Sequence, residues 1–167
     1  GTMALQGGAG VGKVLQVVSV NKTDTFSVSS TLTFTEVTGL TVNITPTSAS
    51  SKILVLAQIS VGASGYTAFL RLRRDSTDIL LADAAGSRAT TTASISSGDT
   101  DGNRRNQTIP ITYLDSPNTT SSVSYKVMLG ARRTEDTVYI NRSGNDNDAY
   151  TYDPRTTSTI TIMEIAG

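Results

Sequence analysis

Large apolar side chains fall along this chain in short runs with a period of two. The densest run is KILVLAQISVG at residues 52–62, where Ile53, Leu54, Val55 and Leu56 are followed by Gln58 and Ser60 alternating with Ile59 and Val61. A β-branched run that passes into alternation predicts a strand buried on both faces at its start and on one face later. The same alternation predicts strands at 14–20, at 31–37 with Leu32 and Phe34 on one face, and at 40–45 after a turn at Gly39. Further strands are expected at 67–73 (Leu70 and Leu72 inward, Arg71 and Arg73 outward), 79–82, 107–114, 123–129, 137–141 and 157–165, and a weaker, Thr-rich edge strand at 88–95. These amount to about ten short strands at sandwich spacing, with polar inserts at 96–106 and 142–155.

Composition narrows the class. The chain carries 27 Thr and 20 Ser against three Phe and no Trp, and no stretch shows a helical period of Ala, Leu, Glu and Lys. The expectation is therefore an all-β, two-sheet antiparallel β-sandwich in a single domain, residues 14–167, behind a Gly-rich lead-in at residues 1–13. Fourteen basic and fourteen acidic residues cancel, so no overall field draws the chain to nucleic acid or to an anionic membrane. There is no apolar run of membrane-spanning length and no signal-peptide pattern. The absence of Cys and His removes thiol nucleophiles, imidazole bases, disulfides and the usual zinc ligands.

The motifs that remain are weak. GGAGVGK at 7–13 fits part of a phosphate-binding loop, but Val14 stands where a Ser or Thr belongs and a strand pattern follows instead of a helix, so it reads as a linker. Asp99, Asp101 and Asn103 alternate like calcium ligands, but Gly102 is misplaced and no bidentate Glu follows; the stretch reads as a solvated loop, as does 145–148. No cofactor and no metal is expected. The arginine pairs 73/74, 104/105 and 132/133 could hold anionic groups, yet acids nearby make local ion pairing the commoner outcome. Carboxylates mostly sit in turns, and a catalytic pair of them is not visible in sequence; the chain is expected not to be an enzyme.

Four segments carry a resemblance: GKVLQVVSV at 12–20, VTGLTVNITPTSASSKILVL at 37–56, ITYLDSPNTTSSVSYKVMLG at 111–130 and STITIMEIAG at 158–167. With these the chain resembles the C-terminal heads of tail-fibre and receptor-binding proteins of tailed phages, marine ones in particular. The resemblance implies a jelly-roll-like sandwich of the C1q and TNF shape, a homotrimer at the fibre tip behind an upstream shaft, and a place on the outside of the virion. It implies attachment to a bacterial cell-surface glycan or protein, but no particular ligand. Apolar faces such as Val123/Tyr125/Val127/Leu129 and Ile160/Ile162 suit either a core or an interface between chains.

The candidate binding residues lie in and before the 142–155 insert: Tyr139, Asn141, Arg142, Asn145, Asp146, Asn147, Asp148, Tyr150 and Tyr152. Sugar recognition needs planar hydrogen-bonding groups beside a ring that stacks on pyranose C–H faces, and this stretch supplies both. The competing reading makes Tyr150 and Tyr152 anchors that fold the loop down. Beside the receptor-binding head stand two other functions: a structural trimerisation head that binds nothing, and a small polysaccharide-acting enzyme module.

Overall fold

The computed structural model describes residues 12–29, 32–96 and 105–167. It contains eleven strands, and no helix occurs among the described residues: β1 Val14–Lys22, β2 Phe26–Val28, β3 Thr35–Ile44, β4 Lys52–Ser64, β5 Thr67–Arg74, β6 Thr77–Ile79, β7 Ala93–Ser96, β8 Asn106–Asp115, β9 Val123–Ala131, β10 Thr137–Ile140 and β11 Ser158–Ile165. One sheet runs β1-β11-β4-β8; β10, with β2 outside it, takes the same edge of β4 beyond the point where β11 ends. The other sheet runs β3-β9-β5, with β6 and β7 sharing the far edge of β5. Every pairing is antiparallel. The chain crosses between the sheets at β2–β3, β3–β4, β4–β5, β7–β8, β8–β9 and β9–β10, which is the weave of a jelly roll.

Strict alternation along β4 builds one wall of the core. Ile53, Val55, Ala57, Ile59 and Val61 point inward and are buried, together with Ile160 and Ile162 of β11 and Ile111 of β8. Val37, Leu40, Val42, Leu70, Leu72, Tyr125, Val127 and Leu129 face them from the second sheet. Each large side chain removed from water in this way contributes about 1.5–3 kcal/mol. The faces Val123/Tyr125/Val127/Leu129 and Ile160/Ile162 are thus core. Leu54 and Leu56, expected inside a strand buried on both faces, point outward and are half buried, because no strand among the described residues packs on the outer side of that sheet.

The second sheet departs most from simple alternation. Residues 35–44 form one strand through Gly39 instead of two strands split by a turn. Between Glu36, opposite Met128, and Thr41, opposite Lys126, residues 37–40 stand against Val127 alone. This bulge lets Val37 and Leu40 both point inward, and Gly39 supplies the φ of +86° it requires. The strand expected at 31–37 begins only at Thr35: Leu32 sits outside it at φ +50°, and Phe34 lies against Gly130. β2 had no clear pattern in sequence. Likewise 79–82 and 88–95 shrink to Thr77–Ile79 and Ala93–Ser96, and residue 90 of the intervening loop is tied over the outer face, where the Arg71 Nε–H donates to the Thr90 carbonyl at 2.9 Å.

Candidate functional site

The insert between β10 and β11 is closed at its base. Asn141, at φ +63°, is wholly buried; its Nδ2 donates to the carbonyls of Lys22 (2.8 Å) and Asp24 (2.9 Å), and its Oδ1 accepts from the Ser158 hydroxyl (2.7 Å). Its backbone N–H reaches the Ser60 carbonyl and its carbonyl accepts from the Thr156 N–H. The chain therefore leaves β10 and re-enters β11 at one point. Ser60, Asn106 and Thr156 complete the base with a ring of side-chain hydrogen bonds of 2.7–2.8 Å. Just beyond, the backbone of Arg142 and Ser143 lies flat on β4 at Gly62, where a Cβ would run into the Arg142 carbonyl.

Inside the loop a carboxylate is clamped. Asp146, at φ +47°, accepts from Arg142 Nη1 at 3.0 Å and from Arg155 Nε at 2.7 Å, and the Arg142 guanidinium lies 4.2 Å from the centre of the Tyr139 ring. The buried Ser143 hydroxyl donates to Asp153 Oδ1 (2.9 Å) and accepts the Asp146 N–H (3.1 Å). Two successive turns, Tyr150 N–H to the Asn147 carbonyl and Asp153 N–H to the Tyr150 carbonyl, carry the tip. There the rings of Tyr150 and Tyr152 stack with centroids 4.8 Å apart and planes 13° from parallel, and each residue remains about half exposed (48% and 49%).

The structure thus divides the nine candidate residues. Asn145, Asn147, Asp148, Tyr150 and Tyr152 form an exposed tip. Asn141 is an anchor, and Tyr139, Arg142 and Asp146 are half buried in the clamp beneath. The tyrosines lean on each other and leave about half their surface to water. Asp153, Arg155 and Ser143, which hold the tip, were not singled out in sequence; each is an ordinary loop residue there, and only the fold brings them together.

The remaining polar groups serve other ends. At the opposite end of the sandwich Glu164 is wholly buried, accepting from Gln16 Nε2 at 2.6 Å and from the Thr47 N–H and hydroxyl at 2.7 Å each. Burial pushes this carboxyl up, but those hydrogen bonds more than offset it and hold it at about 2. Across Ile53, Asp115 accepts two bonds from Arg74 and one from the Tyr125 hydroxyl at 2.6 Å. Burial and Asp115 both push the Tyr125 phenol up. Of the arginine pairs, Arg73 joins Arg71 on Asp78, and Arg74 finds Asp115 instead of its sequence neighbour Asp75. Arg133 lies 3.6 Å from Glu135 with both side chains largely in water, while Arg132 finds no carboxylate among the described residues. Among the described residues no three His, Cys, Asp or Glu side chains converge as metal ligands. The stretches 1–11 and 99–103, with their phosphate-loop and calcium-loop patterns, lie outside the described residues.

The outer face of the first sheet also carries an apolar row. Val17, Met163, Leu54 and Leu114 stand side by side in register across β1, β11, β4 and β8. Val17 and Leu114 are more than half exposed. The next rows, Ser19/Thr161/Leu56/Thr112 and Asn21/Thr159/Gln58/Pro110, carry no charge either.

The strand order makes this chain a jelly-roll β-sandwich. No protein-family profile matches it, and no curated protein does. Among solved structures it is similar to that of the infectious bursal disease virus Gx strain (11% identity, TM-score 0.39) and to the VP2 subviral particle of infectious bursal disease virus (10% identity, TM-score 0.41). In both, the match covers 90% of this chain and 38% of the other.

Proposed function

We propose that the chain is the receptor-binding head of a phage tail fibre, a homotrimer that attaches the virion to a bacterial surface receptor, a glycan foremost, through the 144–152 tip. The observation that carries the binding reading is the Tyr150–Tyr152 stack. Two aromatic rings held half exposed by a carboxylate clamp, beside the exposed amides of Asn145 and Asn147 and the carboxylate of Asp148, offer an apolar platform with hydrogen-bonding groups around it. Because the clamp is already formed, little ordering entropy is lost on binding. The phage origin, the upstream shaft and the threefold count rest on the resemblance of the four sequence segments. Self-association is supported by the three uncharged rows on the outer face of the first sheet, since interface cores are depleted in charge.

The test is competition. Purified chain should block adsorption of the phage that carries it to its host, and the Tyr150→Ala/Tyr152→Ala variant should lose that block at least tenfold while keeping its mass and melting temperature. Each stacking ring contributes on the order of 1 kcal/mol. A chain that never competes, though correctly assembled, would be a structural head and not a binding one.

A further inference from the structure

A groove opens on the outer face of the other sheet, between the loop that follows β6 and the chain entering β3. It is a shallow, open depression of about 390 Å3, floored by Thr67 and Phe69 of β5 and walled by Leu32, Ser87, Arg88 and Arg132. Two features set it apart from ordinary surface. Arg71 and Arg73, which point outward from the same strand, both pair with Asp78, whereas Arg88 and Arg132 meet no carboxylate among the described residues. Arg88 donates to the Ala85 carbonyl at 3.3 Å, and the Arg132 guanidinium lies 5.2 Å from the centre of the Tyr66 ring. Leu32, meanwhile, is 48% exposed at φ +50° and is held there by its N–H on the Ala131 carbonyl at 3.0 Å. A large apolar residue in the left-handed region is uncommon, and the surrounding structure must hold it there.

We propose that this groove is a binding site for a carboxylate-bearing sugar, of the uronic or nonulosonic acid class, separate from the tyrosine tip. Guanidinium groups are the preferred partners of a carboxylate. Leu32 and Phe69 offer apolar surface to the C–H face of the ring, and Thr67 and Ser87 add hydroxyl-bearing side chains to the lining. The volume is that of a small-ligand cleft. Inorganic phosphate would satisfy the arginines and leave Leu32 and Phe69 uncovered; a neutral sugar would leave the arginines unpaired.

Methyl NMR on the full chain, titrated with glucuronic acid, N-acetylneuraminic acid, glucose and inorganic phosphate at constant ionic strength, decides the matter. One of the acidic sugars should move the Leu32 methyls saturably in the millimolar range, glucose at least tenfold more weakly. Arg88→Gln and Arg132→Gln should each weaken binding about tenfold, the loss of one charge-assisted hydrogen bond, with no change in melting temperature. Tyr150→Ala/Tyr152→Ala should leave the titration unchanged, so the two sites fail or stand independently. The proposal is overturned if neither acid saturates the Leu32 signal, if glucose matches them, or if phosphate moves the same methyls as far.

Discussion

Asn141 and Glu164 show how single polar residues can be buried at no lasting cost. Each is wholly inaccessible and each has its polar atoms satisfied. Replacing Asn141 with Ala would orphan the Lys22 and Asp24 carbonyls and leave a non-Gly residue at φ +63° without its local bonds. A loss of about 2–4 kcal/mol is expected, measured by urea unfolding. Glu164 makes the fold acid-sensitive in a defined window. Its folded value of about 2 lies below the ordinary 4.5, so its stabilisation is complete above pH 4.5 and is lost as pH falls toward 2. At about 1.4 kcal/mol per unit the loss is on the order of 3 kcal/mol. Glu164→Gln should be less stable at neutral pH and should flatten the decline between pH 4.5 and 2, read from unfolding curves at several pH values. Asp78, drawn down by Arg73 and Arg71 against its burial, adds to the same acid sensitivity in the wild type and in the variant.

At the scale of elements, the packing of the insert on β4 turns on Gly62. Gly62→Ala would push the Arg142–Ser143 backbone off β4, costing about 1–3 kcal/mol and raising hydrogen exchange across 141–157 before the sandwich itself opens. The strands were largely legible because their alternation matches a one-sided core: β4, β5, β8, β9 and β11 fall within two or three residues of where period two places them. Two kinds of feature were not. The bulge at 37–40 breaks the period, so Val37 and Leu40 read as parts of different strands when both serve one face. The Thr-rich 88–92 has the composition of a strand, yet Thr90 is drawn over the sheet by Arg71, a long-range contact that no local pattern encodes. The same limit applied to the site. Its tyrosines and amides stood out by residue type, whereas the burial of Asn141 as an anchor depends on Lys22, Asp24 and Ser60, far away in sequence.

On the scale of the molecule, the outer face of the first sheet stands out among the described residues. In a chain whose positive and negative charges balance, the three rows across β1, β11, β4 and β8 carry none. The edge of that sheet is guarded differently: Pro110, in the middle of β8, has no N–H to offer, which disfavours growth of the sheet strand by strand. On the β8 side a copy of the chain is thus better met face to face than edge to edge. On the proposed assembly, Leu54→Glu should convert a particle of three chains into monomers, seen as a threefold fall in mass by light scattering. The outward position of Leu54 should keep the loss of monomer stability within about 1 kcal/mol.

The closed base of the insert bears on how such a molecule changes. Because Asn141 and Ser158 fasten the two ends to each other, the segment between Ser143 and Asp153 behaves as a cassette. Its length and chemistry can be rewritten without altering a strand register or a core contact. On the proposed function, variation that alters what the tip holds would accumulate there while the sandwich that presents it stays the same.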